Sequence, residues 1–268
     1  MHVNYEYIFA GFIIVLVLTT SQIYSGILLS RKVADWEQAA GYQTAEGILD
    51  MLLLSRGEPS NWYEFPDNPE RLGLASNNSF EEYGLDPRKV ERLTPNSTHY
   101  ISPASLRSLL GVSSTIGLAL RIVPALNLTV THDGPGNYTL TVRDLKGLHV
   151  PNVNVTAYYV SMPFNPYADT DTRRGVTDIH GQFTLDYTLA ETDALVICVG
   201  QSDIRSITTY PRDGLLTVQG GHVMTSPRPA YLAVNSTTGS LFGYRQEIAS
   251  RYVKIDGYTY YAELMIWS

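Results

Sequence analysis

The first hydrophobic pattern in the chain is a long apolar stretch without charge. No charged residue occurs from residue 7 to residue 29, and only a polar cluster at residues 19–22 dilutes the segment. Its length matches the roughly 20 apolar residues that cross a hydrocarbon core of about 30 Å. No Lys or Arg precedes it, whereas a cleaved signal peptide has a basic start. The pattern therefore predicts a retained transmembrane helix.

A helical stripe continues beyond this stretch. Apolar residues between positions 33 and 54 recur mostly at steps of three and four, which indicates an amphipathic helix. Gly57 and Pro59 then supply a stop signal. We therefore expect a transmembrane and continuing amphipathic helix over residues 1–54, whose outer half needs a partner surface for its stripe.

Turn-forming residues dominate the next part of the chain. Proline and glycine recur through residues 55–100. Two short helices are predicted here, one capped by Asp86 with Pro87 at its first position, and one that opens at Ser102 and Pro103. We expect residues 55–143 to form a turn-rich helical linker that ends in the first β-strands.

From residue 114 onward the hydrophobic period changes to two, which predicts β-strands. The first alternating positions are Leu118, Leu120, Ile122, Leu126, Leu128 and Val130. Pro124 interrupts this run and predicts an edge strand or a break. Similar runs continue to residue 266. The fold class that we expect is α+β, a long N-terminal transmembrane helix followed by a mostly β body, an antiparallel and Ig-like β-sandwich.

Composition excludes several functions. The formal net charge is −7, whereas a nucleic-acid partner requires clustered Lys and Arg. Cys198 is the one cysteine, so an intramolecular disulfide is impossible, and its apolar run predicts a buried strand residue instead of a nucleophile. No P-loop, G-x-S-x-G or G-x-G-x-x-G motif is present. We therefore expect no enzyme activity and no cofactor.

Metal-binding patterns are also weak. The six histidines are scattered, and no two stand at the spacings of a local zinc motif. The run that starts at Asp169 begins like a calcium loop, but it has Arg173 at position five and His180 at position twelve. A looser calcium site at Asp169, Asp171 and Asp178 is the alternative to a solvated loop. We expect no metal.

Two signals bear on orientation, and they disagree. Arg31 and Lys32 follow the apolar stretch, which would place the body in the cytoplasm. Six N-glycosylation sequons favour the opposite side, against about two expected by chance. Their asparagines are Asn77, Asn96, Asn127, Asn137, Asn154 and Asn235. The alternative is that Asn and Thr are simply common in turns and strands. We expect a single-pass glycoprotein of the cell membrane with an extracytoplasmic body.

Residues 144–200 contain two motifs of one known domain type. The motifs are Gly147-Leu148-His149-Val150-Pro151-Asn152-Val153 and Thr177-Asp178-Ile179-His180-Gly181. In the second, Asp178 can accept bonds from backbone amides and Gly181 supplies a positive φ. This region resembles the carboxypeptidase-regulatory-like, or transthyretin-like, β-sandwich. The resemblance implies such a sandwich over residues 144–212, without catalytic residues, that serves as a spacer, adhesion or interaction module.

The layout of the whole chain resembles archaeal type IV pilin-like proteins. The resemblance rests on Glu6 before the apolar stretch and on residues 45–62, 72–75, 83–90 and 253–264. It implies that Glu6 pairs with a neighbouring subunit and that residues 213–268 complete a pilin-like sheet. Small residues such as Gly11 and Gly26 would allow close packing between helices. A minor or accessory subunit is the role that the resemblance favours.

The function that we expect is a non-enzymatic, membrane-anchored surface protein, either a pilin-like subunit or an adhesion and interaction module of the cell envelope. Its expected partners are the membrane and other protein subunits, in a homo- or hetero-oligomer, and not nucleic acid. The alternative is an accessory extracytoplasmic subunit of a membrane enzyme, transporter or secretion complex. A surface-tethered hydrolase would require three convergent polar residues in a deep pocket.

Overall fold

The computed structural model describes residues 44–77, 81, 83–161, 171–190, 193–211, 215–226, 232–239 and 245–268. Residues Ala45–Ser268 form one compact unit. Its helices are α1 (Ala45–Leu54), α2 (Pro87–Glu91) and α3 (Pro103–Leu109), with a 3-10 turn at Trp62–Glu64. Its strands are β1 (Gly84–Leu85), β2 (Gly117–Pro124), β3 (Asn127–Gly134), β4 (Asn137–Arg143), β5 (Asn154–Val160), β6 (Thr172–Val176), β7 (Gln182–Asp186), β8 (Ala194–Gln201), β9 (Ile204–Tyr210), β10 (Leu216–Gln219), β11 (His222–Thr225), β12 (Val234–Thr238), β13 (Gln246–Ile255) and β14 (Tyr258–Trp267).

The predicted fold class was wrong. The described residues are mostly β-sheet, and their longest helix, α1, has 10 residues. No helix among these residues has the length and the apolarity that crossing a membrane demands. The stripe of α1 is buried within the compact unit, so its apolar residues build a globular core. The stretch at residues 7–29 and the predicted contact residues Glu6, Gly11 and Gly26 lie outside the described residues.

Five strands and three helices form what we call the platform. Its sheet has the order β1-β13-β14-β2-β12, antiparallel except for the short parallel pair of β1 and β13. α1 lies on one face of this sheet and buries Ile48, Leu49, Leu52 and Leu53. The strands contribute Leu118, Leu120, Ile122, Val253, Ala262 and Leu264 to the same core. The period-two alternation of these strands therefore places one apolar face against the helices.

One buried arginine organises the turn-rich segment before the sheet. Arg92 is 4 % exposed, and its guanidinium carbon lies 5.0 Å from the centre of the Trp62 ring. Its three side-chain nitrogens donate five hydrogen bonds of 2.8–3.3 Å. The acceptors are the backbone oxygens of Trp62, Phe65, Pro66, Asp67 and His99. The five N–H groups of one guanidinium therefore satisfy carbonyls of the 3-10 turn and of the irregular chain around it.

A second buried cation lies one helical turn before Arg92. Lys89 is fully buried, and its ammonium donates to the backbone oxygens of Arg56 (2.7 Å) and Ala75 (2.9 Å). Burial lowers the pKa of Lys89 to about 8, and the charge of nearby Asp86 only partly opposes this shift. Asp86 also caps α2, as the sequence predicts, because its carboxylate accepts from the amide of Arg88.

A seven-stranded β-sandwich is inserted between β2 and β12, which confirms the predicted sandwich. One sheet has the order β3-β4-β7 and the other has the order β6-β5-β8-β9. Their facing sides enclose a core that includes Leu140, Val142, Val155, Leu185 and Ile197. Because β3 and β4 pair with β7, the sandwich also includes residues 127–143. The predicted break at Pro124 is confirmed, since β2 ends there and the chain passes into another sheet.

Two turns of the sandwich share one hydrogen-bond pattern. Asp178 Oδ1 accepts from the amides of His180 (2.9 Å) and Gln182 (2.8 Å), and Gly181 has a φ of 66°, as the sequence predicts. Asp144 Oδ1 likewise accepts from the amides two and four residues later. These carboxylates are used to close turns, and the described residues contain no cluster of three potential metal ligands. Asp169 of the alternative calcium site lies outside the described residues.

The attachment of the sandwich gives the compact unit two distinct ends. At one end, the amide of Ala45 at the start of α1 donates to the Glu247 carboxylate (3.3 Å) near the start of β13. At the opposite end of the sheet, Lys254 Nζ and Thr259 Oγ1 both donate to the backbone oxygen of Asp203 in the sandwich (2.6 and 3.1 Å). The chain therefore enters the platform at one end and carries the sandwich at the other.

Replacement of Arg92 by lysine tests its organising role. Arg92→Lys keeps the positive charge but replaces the five N–H donors of the guanidinium by the three of an ammonium. Buried carbonyl oxygens are then left without donors. We expect a loss of about 3 kcal/mol in the free energy of unfolding, measured by urea denaturation. The control is Arg107→Ala, whose side chain is partly exposed on α3 and donates one bond to the backbone oxygen of Ser114; its effect should stay within about 0.5 kcal/mol. Equal effects of the two variants would refute the role of Arg92.

The pKa of Lys89 predicts a rise of stability with pH. The buried ammonium loses its proton near pH 8, whereas an unfolded lysine keeps it to about 10.5, so the unfolded state binds more protons between these values. We expect the unfolding free energy of the wild type, relative to that of Lys89→Met, to increase by about 2 kcal/mol from pH 7.5 to 9.5. If the difference in unfolding free energy between the two proteins, measured by urea denaturation, stays constant or falls with pH, the lowered pKa of Lys89 is wrong.

Candidate binding cleft

The outer face of the four-stranded sheet is covered only in part. The hairpin of β10 and β11 packs Leu216 and Val223 against one half of this face, on Tyr158, Val196 and Ile207. The other half borders an open space of about 790 Å³ between the sheet, the hairpin turn and the β13–β14 turn. We call this space the hairpin cleft. Its volume lies within the range that small ligands occupy in proteins.

The strand register defines the floor of the hairpin cleft. Across-strand partners share a face, so Thr156 of β5 and Cys198 of β8 lie side by side. Asn154 and Gly200 form the neighbouring row, in which Arg205 of β9 follows Gly200. Alternation sends the intervening residues, such as Val155 and Val199, into the sandwich core. The same alternation therefore builds the core and the floor of the cleft.

Two tight turns form the walls of the cleft. The hairpin turn contains Gly220 and Gly221 with φ values of 58° and 85°, and the β13–β14 turn contains Asp256 and Gly257 with φ values of 51° and 81°. Tyr258 joins the two walls, because its hydroxyl donates to the backbone oxygen of Val218 (3.0 Å). Its burial raises the pKa of this phenol, so the hydroxyl stays protonated and can donate.

Cys198 contributes a thiol to the cleft. It lies in a strand, β8, as predicted, but it is half-buried instead of buried. Burial raises the pKa of this thiol to about 11, although the hydrogen bond with Tyr258 and the charge of Arg205 oppose the shift. Its sulfur lies 3.9 Å from the Tyr258 hydroxyl oxygen. Because the thiolate is the nucleophilic form, Cys198 is a poor nucleophile at neutral pH.

The polar groups of the cleft suit binding. Asn154, Thr156, Ser202 and Gln219 present amides and hydroxyls, and Arg205 presents a guanidinium. The lining contains no histidine and no lysine, and its one carboxylate, that of Asp256, is exposed on the β13–β14 turn. The geometry therefore offers hydrogen-bond donors, hydrogen-bond acceptors and one charge of each sign to a small polar ligand.

The predicted glycosylation residues are spread over the body instead of converging on one site. The structure describes all six sequon asparagines, and each is exposed. Asn77 and Asn96 lie in the platform segment, Asn127, Asn137 and Asn154 in the sandwich, and Asn235 on β12. Exposure is what attachment of a glycan requires. Asn154 alone among them lines the hairpin cleft.

Sequence reasoning did not single out Arg205, Tyr258 or the hairpin turn. They come from three separate elements, and no local motif connects them. The apolar run around Cys198 gave one indirect signal. A strand that is apolar at every position is covered on both faces, so a second layer had to pack on the outside of the sandwich.

Comparison with protein-family models, with curated proteins and with solved structures finds no match to this chain. The pilin-like and transthyretin-like resemblances therefore stay predictions. The function is inferred from the geometry of the compact unit and from the patterns of the sequence.

The pKa of Cys198 predicts slow alkylation. At pH 8 a thiol with a pKa of about 11 carries roughly a hundredfold less thiolate than one with the ordinary value of 9.0. We expect iodoacetamide to label native Cys198 at least 100-fold more slowly than the urea-unfolded chain, with a rate that still increases above pH 10. The unfolded chain serves as the matched control. Equal rates, or a rate that levels off near pH 8, would contradict the raised pKa.

Proposed function

We propose that this chain is a non-enzymatic surface protein of the cell envelope, a pilin-like subunit or an adhesion and interaction module. The observation that carries the proposal is the opposed placement of α1 and the sandwich. α1 begins beside Glu247, whereas the sandwich is attached beside Lys254 and Thr259 at the other end of the same sheet. Such a platform presents an inserted domain away from the point where the preceding chain enters.

The residues that precede α1 explain why the sandwich is held away from the start of that helix. They include the uncharged apolar stretch at residues 7–29, which supports a location at the cell membrane. In this proposal the stretch holds the protein at the membrane and the compact unit lies on the extracytoplasmic side. The exposed positions of the six sequon asparagines support that side, because glycans are added to exposed chain in that compartment.

The chemistry of the hairpin cleft supports binding over catalysis. Its thiol is held protonated by burial, and its tyrosine is engaged as a hydrogen-bond donor to the hairpin backbone. Neither group is poised to attack or to shuttle a proton at neutral pH. The sandwich adds broad exposed strand surfaces. A scaffold of this kind serves recognition.

Protease accessibility on intact cells tests the location. The chain is expressed in cells that naturally make it, and trypsin is added before and after the membrane is opened. We expect cleavage after residue 44 from outside, with glycan masses on peptides that contain exposed sequons. A cytoplasmic protein of the same cells, which must stay intact until lysis, is the control. Protection of the body until lysis, with all six sequons unmodified, would overturn the proposal.

Cross-linking on the same cells then distinguishes a pilin-like subunit from an accessory subunit of a membrane complex. Ladders of this chain, or its recovery in sheared filaments, would support a pilin-like subunit. A single cross-linked complex with one large membrane protein, without self-association, would contradict that role and favour the accessory subunit of a membrane complex. The control is the chain solubilised in detergent at the same concentration, where random collision products would also appear.

A further inference from the structure

One arginine, Arg205, lines the hairpin cleft, and a second, Arg174, lies beside its floor on the neighbouring strand. Arg205 lies on β9, at one side, in the row of Asn154 and Gly200. Arg174 lies on β6, at the other side, because it is the across-strand partner of Thr156 and therefore shares its face. Its charge also acts on the hydroxyl of Tyr158, which lines the cleft. Three strand spacings separate the two arginines, roughly 15 Å in all.

Both guanidiniums are available to a ligand. Arg174 and Arg205 are exposed, and no hydrogen bond or ion pair joins either side chain to another residue that the structure describes. Arg92 differs, because its side-chain nitrogens already donate five hydrogen bonds within the protein. An unengaged guanidinium is a bidentate donor for carboxylate, sulfate or phosphate. One negatively charged group can therefore bind Arg205 within the cleft, and a second can bind Arg174 beside its floor.

Uncharged polar groups lie between the two arginines. Asn154 and Thr156 lie on the central strand β5, and Ser202 follows β8 beside Gly200. Their amide and hydroxyl groups both donate and accept hydrogen bonds, which matches the hydroxyl groups of a sugar ring. The one acid of the lining, Asp256, lies on the β13–β14 turn, where its carboxylate can accept hydrogen bonds from sugar hydroxyls. A ligand that complements the cleft thus has negative charges that reach the arginines and hydroxyl groups elsewhere.

The backbone of the cleft floor argues against an extended peptide. β5 is paired on both sides, with β6 and β8, and β8 is paired on both sides, with β5 and β9. No strand edge is free within the floor, so a peptide cannot add to the sheet there. Leu216 and Val223, the apolar residues of the hairpin, are buried between the hairpin and the sheet. They leave no pocket for an apolar side chain of a peptide.

We propose that the hairpin cleft binds a short anionic saccharide whose acidic groups pair with Arg174 and Arg205. This inference rests on the proposed function, because a saccharide of the envelope or of a neighbouring cell is the ligand that an adhesion module would meet. An N-glycan on Asn154 would itself enter the cleft. The cleft is therefore open to a separate saccharide only when Asn154 is unmodified.

Calorimetry with defined saccharides tests this assignment. The full-length chain is produced in a host without N-glycosylation and purified in detergent. Trigalacturonate, with three carboxylates, is the probe, and maltotriose is its uncharged counterpart. We expect trigalacturonate to bind at least tenfold more tightly than maltotriose. We also expect Arg205→Gln and Arg174→Gln each to weaken binding about tenfold, and added salt to weaken it further.

The matched control is Arg121→Gln, an exposed arginine on β2 of the platform that should leave the affinity unchanged. Thermal unfolding of each variant checks that the fold is intact. Absence of binding at millimolar trigalacturonate, or equal effects of all three substitutions, would overturn the proposal. So would a hexa-aspartate peptide that binds as tightly as the sugar. These results would leave protease accessibility on cells untouched, so this proposal can fail while the surface location stands.

Discussion

The architecture depends on the antiparallel pairing of β2 with β12. Ile122 lies opposite Val234, so the chain that leaves the sheet after Pro124 returns to the neighbouring strand at the same end. An inserted segment of any length is compatible with the sheet if its two ends lie one strand spacing apart. The sandwich and the β10–β11 hairpin satisfy this condition. Their position at that end of the platform, and the cleft beside the β13–β14 turn, both follow from it.

The platform below this connection is held by a different kind of interaction. Most of its core is ordinary apolar packing, but the segment before the sheet has little regular structure and many backbone carbonyls to satisfy. Arg92 and Lys89 satisfy seven of them from within the core. Burial of the two charges costs free energy, and the lowered pKa of Lys89 reflects that cost. Their hydrogen bonds give the irregular segment one conformation.

Local signals in the sequence were sufficient for local structure. Asp86 before Pro87 predicts the start of α2, and Asp178 with Gly181 predicts a turn whose bonds the structure contains. The long-helix prediction failed because a short helix on a sheet has the same apolar stripe as part of a longer one. The hairpin cleft was not predictable, because its register places Arg174, Thr156, Cys198 and Arg205 together from four strands. Pairing between distant strands has no local signature.

Excision of the insert tests whether the platform folds without the sandwich that it carries. Residues 125–231 would be replaced by an Asn-Gly turn, which closes Pro124 and Leu232 as a two-residue hairpin. We expect the shortened chain to keep a β-sheet circular dichroism spectrum and to unfold in one cooperative transition, and we expect Arg92→Lys to destabilise it as in the whole chain. A disordered spectrum, or unfolding without a transition, would show that platform and sandwich form one inseparable core.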